Sequence, residues 1–377
     1  MKIIGAGLAG CVVARCMADA GHSVQIYEKK NHIGGAIHDY VDENGVTVHS
    51  FGPHIFHTQS DRAYDFIRRF GEWDAFAHRV LGQIGDGLCP IPFNFRSIES
   101  CFPPERAALF QQKLSELRGF GTAVTIGELK QTDDADLREL AAFIYENVFF
   151  HYTLKQWGRT PEELGGDVMN RVPVRISYED GYFADPYQCM PRDGYTAFLE
   201  NMLQHDLISV ELGTDADKRL ELTEDTVIFD GTVQREPVIY TGCLDRLLGF
   251  ELGALPYRTL DFAFEEVAWP YQPVSVVNYP NVPGFTRISE FGHFYPERSY
   301  TRSVIMREFP SEYDRDSASE PYYPIPSQES ADLYAAYRKR VSGISELYLA
   351  GRLGSYRYMN MDVTILESLD LAERILA

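Results

Sequence analysis

Apolar and polar positions change period along the chain, and the changes mark out elements of different kinds. Met1-Lys2-Ile3-Ile4 reads as a short buried strand, Gly5-Ala6-Gly7-Leu8-Ala9-Gly10 as a tight turn, and the next residues as a helix running to about Ala20. Gly21 stops that helix, and Ser23-Val24-Gln25-Ile26-Tyr27-Glu28 alternates with period two, which predicts a second strand and completes a β-α-β unit.

From about Asp61 to Phe150 the apolar residues fall three and four apart: Tyr64 to Ile67 with Phe70, then Leu109 to Leu117, then Leu137 to Phe150. That spacing predicts a mainly helical block. After Gly166, β-forming residues cluster between turn residues in Arg171-Val172-Pro173-Val174-Arg175, in Pro273 to Tyr279 and in Arg302 to Met306, which predicts an antiparallel sheet. Thr226 to Phe229, Pro237 to Gly242 and Leu347 to Gly351 read as strands returning to the first sheet. Polar Ser311 to Glu320 reads as a flexible link. The α/β chain thus divides into a discontinuous nucleotide-binding domain (1–60, 200–245 and 335–377), a mainly helical domain (61–165) and an antiparallel sheet domain (166–199 and 246–334).

A length of 377 residues exceeds what one core usually organises, in keeping with that division. The 45% hydrophobic fraction excludes a disordered chain. A net charge of -20 would repel nucleic acid and anionic membranes, so neither is an expected partner, yet arginines focused in a cleft can still hold a small anion. Cys11, Cys16, Cys89, Cys101, Cys189 and Cys243 show no metal-ligand spacing and read as buried thiols of a reducing compartment. No apolar run approaches the roughly 20 residues that span a bilayer, and no signal-peptide pattern precedes the first strand, so a soluble cytoplasmic protein without a metal is expected.

In Gly5-x-Gly7-x-x-Gly10 the first glycine allows the turn, the second lets backbone approach a pyrophosphate, and the third permits close helix–strand packing. Acidic Glu28 ends the second strand, placed for a ribose hydroxyl. The run from Glu28 to Gly34-Gly35 resembles the paired-glycine extension common to FAD-binding Rossmann proteins. No second glycine fingerprint follows a later strand, so a dedicated nicotinamide domain is not expected.

Gly52-Pro53-His54-Ile55-Phe56-His57-Thr58 is a poor core former, and here the chain resembles the UDP-galactopyranose mutase family. Matching blocks come in order: Pro92-Phe93-Asn94, Tyr152 to Gly158 with its Lys-Gln-Trp-Gly core, Arg171 to Arg175, Tyr182 to Tyr187, Pro191 to Tyr195, Tyr240 to Gly242, Asn278-Tyr279, Thr286 to Glu290, Pro321 to Ile325 and Gly351 to Tyr358. The resemblance spans the whole chain and implies an FAD-binding Rossmann-like domain with an inserted helical domain and an antiparallel sheet domain. It implies interconversion of UDP-galactopyranose and UDP-galactofuranose without net redox change, N5 of reduced FAD attacking the anomeric carbon as UDP departs. A homodimer, a reductant such as NAD(P)H and a part in cell-wall or surface polysaccharide synthesis go with that reading.

By the same resemblance Arg175, on a mobile flap, and Arg287 grip the diphosphate, for which a planar guanidinium is suited. Tyr152 and Trp157 line the uracil pocket, while Phe149 and Phe150 read as core. Tyr187, Tyr323 and Tyr358 bind the diphosphate, and Tyr322, next in the chain to Tyr323, should face the other way. Asn94, Asn278 and Asn360 complete the substrate set. His54 and His57 run beside the isoalloxazine, with His57 in the catalytic set, and Arg352 and Met361 join Gly5, Gly7, Gly10, Glu28, Gly34 and Gly35 as cofactor residues. Asn360 stands where the family usually has aspartate, which leaves a related sugar open. Two other readings share the fingerprint: an FAD-dependent amine oxidase or desaturase, and a flavin or nucleotide-sugar binding protein without turnover.

Overall fold

The computed structural model describes residues 1–164, 173–317 and 319–377. Gly166, Arg171 and Val172 lie outside them. The N-terminal strand Lys2–Ile4 pairs in parallel with Val24–Tyr27 on one side and Val238–Tyr240 on the other. Ile208–Glu211 and Leu347–Leu349 add to the two edges, also in parallel. With the strands numbered by sequence, the spatial order is third, second, first, fourth, fifth, the order of a nucleotide-binding Rossmann sheet. The helix Leu8–Asp19 covers this sheet and packs on the terminal helix Met361–Leu376 and on Tyr195–Leu203.

Val227–Phe229 does not return to this sheet. It forms a small antiparallel sheet with Leu220–Leu222 and Thr232–Val233, and the strand that does return is Ile208–Glu211. Periodicity could not distinguish these two short runs, because it reports alternation and not the partner.

The second large sheet has seven strands, in the order Tyr323–Pro324, Tyr257–Ala268, Arg302–Glu312, Arg287–Glu290, Val276–Asn278, Val80–Ile84 and Gly87–Ile91. All neighbours are antiparallel except Val276–Asn278 with Val80–Ile84. Its last two strands come from the block expected to be helical. They form a hairpin turned at Gly85, whose φ of +58° suits a residue without Cβ. Cys89 and the glycine-rich run 82–87 are thus strand and hairpin. Tyr187–Pro191 likewise belongs elsewhere than expected, between Phe56–Thr58 and Trp73–Ala75 in a three-stranded antiparallel sheet.

Helices Phe95–Cys101, Pro104–Arg118, Ile126–Gln131 and Ala135–Ile144 enclose a core of their own around Phe110, Leu114 and Leu140. The last of these runs on through a π-helical turn, Tyr145–Phe150, into His151–Trp157. All six cysteines are free thiols, buried or partly so. No helix among the described residues is long and apolar enough to cross a membrane, and those residues hold no cluster of metal-ligating side chains.

Candidate active site

A cavity of about 450 Å³ opens at the carboxyl ends of the parallel strands, where open α/β sheets bind ligands. Gly5, Gly7, Gly10, Glu28, Gly34, Gly35, His54, Arg352 and Met361 all lie on its wall. The turn is as tight as its glycines suggest: a Cβ on Gly10 would stand 2.1 Å from the Gly5 carbonyl oxygen. Gly7 heads the Leu8–Asp19 helix with no side-chain cap, so the first N–H groups of a 12-residue helix face the cavity. Glu28 is buried and ties the two glycine loops together, Oε2 accepting from the Ala6 N–H at 2.8 Å and Oε1 from the Lys30 N–H at 2.9 Å.

The segment expected to be a flexible link is part of this wall. Tyr313, Arg315, Ser317, Ser319 and Glu320 line the cavity, and Glu320 accepts from the Lys29 ammonium at 3.0 Å.

Beside the cavity, one row of the seven-stranded sheet carries Gly82, Asn278, Arg287, Glu308 and Phe262 directly opposite one another on successive strands. Opposed residues of a sheet share a face, so these side chains project together. The partner of Arg287 is not Glu290 but buried Glu308, whose Oε1 accepts from Nε at 2.6 Å. Burial opposes the charge of Arg287, but Glu308, helped by Tyr152 and Tyr323, outweighs it and raises the guanidinium pKa. Glu290 instead accepts from the backbone N–H groups of Tyr271 and Gln272. Glu308 was legible as a buried acid on the strand face shared by apolar Val304 and Met306.

Aromatic rings close the other side. The Tyr323 ring lies 5.9 Å from Trp157 and 5.7 Å from Tyr358, and the Arg352 guanidinium sits over both tyrosines at 5.3 and 5.1 Å. Arg352 donates to the carbonyls of Tyr322 and Met359 and makes no ion pair among the described residues. It therefore faces the nucleotide cavity and the tyrosine cluster at once. Adjacent Tyr322 and Tyr323 divide as strand alternation requires, Tyr322 toward the nucleotide cavity and Tyr323 toward the cluster. Burial pushes the Tyr152 hydroxyl well up and the Tyr323 hydroxyl to about 12, so both stay protonated donors.

Three expected residues are placed otherwise. Asn94 is fully buried as the N-cap of Phe95–Cys101. Its Oδ1 accepts from the Ser97 N–H, and its Nδ2 donates to the Glu179 carbonyl and the Asp180 carboxylate, so its amide is fully occupied in holding the fold. The Tyr187 ring stacks on Tyr64 and its hydroxyl donates to Asp61 at 2.6 Å. His57 stacks on Phe183 and its Nδ1 lies 2.6 Å from the Asp185 carboxylate, while His54 is the histidine on the cavity wall. The His54 Nδ1 meets the Gly52 carbonyl at 2.8 Å, and burial takes its pKa down to about 3, so the ring is neutral.

Arg175 donates to the carbonyls of Gly181 and Tyr182 rather than to Glu179, and makes no ion pair among the described residues. Among the described residues it connects to the Arg287 side through intermediaries: the Tyr182 ring stands 5.5 Å from His78, which lies within electrostatic reach of Arg287. Asn360 begins the terminal helix without using its side chain as a cap.

A family model described as UDP-galactopyranose mutase matches residues 147–358, and one described as an NAD(P)-binding Rossmann-like domain matches residues 3–70. A probable UDP-galactopyranose mutase of Klebsiella pneumoniae is 34% identical, over 100% of this chain and 94% of that one. The chain belongs to the UDP-galactopyranose mutase family. Within its reach, a dTDP-fucopyranose mutase of Escherichia coli is 32% identical over 98% of this chain and 97% of its own length. A crystal structure of reduced UDP-galactopyranose mutase shares the fold, with a TM-score of 0.73 at 17% identity, covering 100% of this chain and 95% of that chain.

Proposed function

We propose that the chain is an FAD-dependent UDP-galactopyranose mutase, an isomerase that interconverts UDP-galactopyranose and UDP-galactofuranose. One observation carries the reading: Arg352, with no carboxylate partner among the described residues, faces the glycine-walled cavity on one side and the Tyr323–Tyr358 cluster on the other. A dinucleotide and a second anion would meet there. The glycine turn and uncapped helix end fit the pyrophosphate of FAD, and reduced FAD supplies a nucleophilic nitrogen to the sugar's anomeric carbon.

The side chains provide binding and charge. Arg287, kept charged and aimed by Glu308, takes the diphosphate, and its charge opposes what builds up as UDP leaves. The Tyr323 and Tyr358 hydroxyls donate to phosphate oxygens, Tyr152 and Trp157 offer faces to the uracil, and Asn278 and Asn360 offer neutral amides to hydroxyls. Arg175 exchanges its carbonyl partners for the diphosphate as the flap closes. Neutral His54 would add no charge to the cavity wall where a bound flavin would sit. A desaturase or amine oxidase would need an apolar channel, which this set of arginines and tyrosines does not supply.

The test is chromatography of UDP-galactofuranose after incubation with the dithionite-reduced protein. Appearance of the pyranose isomer without loss of electrons from the flavin supports the reading. Unchanged substrate, or flavin oxidised with turnover, refutes it. Because the dTDP-fucopyranose mutase relative is nearly as similar, the parallel incubation uses dTDP-fucopyranose, and faster conversion there would reassign the nucleotide and sugar.

A further inference from the structure

The Lys-Gln-Trp-Gly block contains a side chain that touches neither cavity wall nor tyrosine cluster. Lys155 lies on the helix His151–Trp157, between Tyr152 and Trp157, and reaches across to the seven-stranded sheet. Its Nζ donates to the carbonyls of Tyr279, Val282 and Phe285 at 2.5, 2.8 and 2.8 Å. An ammonium has three protons, and each has one carbonyl. No carboxylate pairs with it among the described residues.

Those carbonyls belong to the connection 279–286 between Val276–Asn278 and Arg287–Glu290. Asn278 and Arg287 are the opposed pair that flanks the connection, and a single backbone bond, Tyr279 N–H to the Thr286 carbonyl at 2.8 Å, continues the ladder beyond them. Arg258 fastens the same C-terminal end of that helix by its backbone, donating to the carbonyls of Lys155 and Gln156 at 3.0 Å each.

We propose that Lys155 is a positioning residue that locks the uracil-binding helix to the Asn278–Arg287 hairpin, so that the base and diphosphate subsites form one rigid clamp. The inference rests on the UDP-sugar reading. Without the ammonium, three carbonyls converge on one point with no donor, the connection opens, and Arg287 loses its fixed distance from Tyr152 and Trp157. Burial already takes the Lys155 pKa down to about 8. The titratable groups on the elements around it are Tyr279 on the connection and Tyr152 on its own helix, both hydroxyls raised by burial, and His151 at the far end of that helix, whose Nε2 lies 3.1 Å from the Glu146 carboxylate. Arg258 and Arg307 keep their charge throughout. Above about pH 8 the amine therefore lacks one donor and turns a lone pair toward a carbonyl.

The experiment is titration of the flavin-loaded protein with UDP, which requires no turnover, between pH 7 and 9.5. Lys155→Met should bind UDP about tenfold more weakly or worse at pH 7, the scale at which small misplacements of binding groups act, with flavin content unchanged. Lys155→Arg keeps a charge that does not titrate but cannot direct three donors to one point. It should bind with intermediate affinity and lose the decline that the wild type shows above about pH 8. Should Lys155→Met fail to fold, the pH profiles of the wild type and Lys155→Arg decide alone. Wild-type affinity in Lys155→Met, or identical profiles in the wild type and Lys155→Arg, overturns the inference and leaves the mutase reading standing. A wild type that does not bind UDP overturns both.

Discussion

At the scale of single residues, the imidazoles show how strongly position governs chemistry. His49 and His78 are both buried, at 1% and 4% exposure, and burial takes each from an ordinary pKa near 6.5 down to about 3. The unfolded chain takes up protons at its ordinary value, so the sign is fixed: stability is full above about pH 6.5 and falls as the pH drops toward 3. By linkage each ring costs about 2 kcal/mol at pH 5. The urea midpoint should therefore fall between pH 7 and pH 5, and His49→Gln or His78→Gln should each remove part of that fall. Variants that keep the whole wild-type dependence would exclude these rings as its source. Legibility also varied from residue to residue. The glycines of the cofactor wall were readable because their duty is local, a turn and a close approach within a few residues. Asn94 was not, because the same amide serves as a ligand or as an N-cap, and the sign of capping was Ser97 three positions on, whose side chain returns the bond. His57 and Tyr187 found partners in Asp185 and Asp61, which no spacing rule connects to them.

At the scale of elements, the helix that carries Tyr152, Lys155 and Trp157 owes its phase to the π-helical turn before it. Such a turn takes up one more residue than an α turn, so the helix leaving Tyr145–Phe150 has the phase of one a residue shorter. The apolar spacing along Leu137 to Phe150 gave the helix, but not the extra residue, since i+3 and i+4 spacing tolerates a slip of one. The turn therefore holds slack in one direction only. Deleting exposed Glu146 should convert it to regular α-helix and keep the three side chains on their face, with UDP affinity within a few-fold of wild type. Inserting an alanine beside exposed Ala142 finds no slack and rotates the downstream helix by about 100°, so UDP binding should be lost while flavin is retained. Titration with UDP beside the flavin absorbance checks both. Loss of UDP binding on the deletion would show that the turn has another duty. The strands present the converse limit. Val80–Ile84 and Gly87–Ile91 lay within a helical stretch of sequence, and only pairing with Val276–Asn278 reveals that they complete the seven-stranded sheet.

At the scale of the whole molecule, segments far apart in sequence meet at one site, and the charge of the molecule opposes the charge of the ligand proposed for it. The order of elements, a β-α-β unit followed by helices and then strands, was legible because it runs with chain direction. The meeting of Arg287, Arg352 and Tyr152, drawn from three distant segments, was not, and only the family resemblance anticipated it. On the proposed function, the net charge of -20 acts on UDP at long range, whereas Arg175, Arg287 and Arg352 would act at contact. The two differ in their response to salt. The Debye length falls from about 30 Å at 0.01 M to about 8 Å at 0.15 M, which screens a remote field far more than groups in contact with the ligand. Repulsion from the whole surface slows the approach of an anion, while the guanidinium contacts hold it once bound. Stopped-flow measurement should therefore show the association rate constant for UDP rising between about 0.01 and 0.15 M salt, with a smaller change in dissociation. An association rate that falls over that range would mean that the arginines already dominate the field at a distance and steer UDP inward, so that the acidic surface lies away from the mouth of the site.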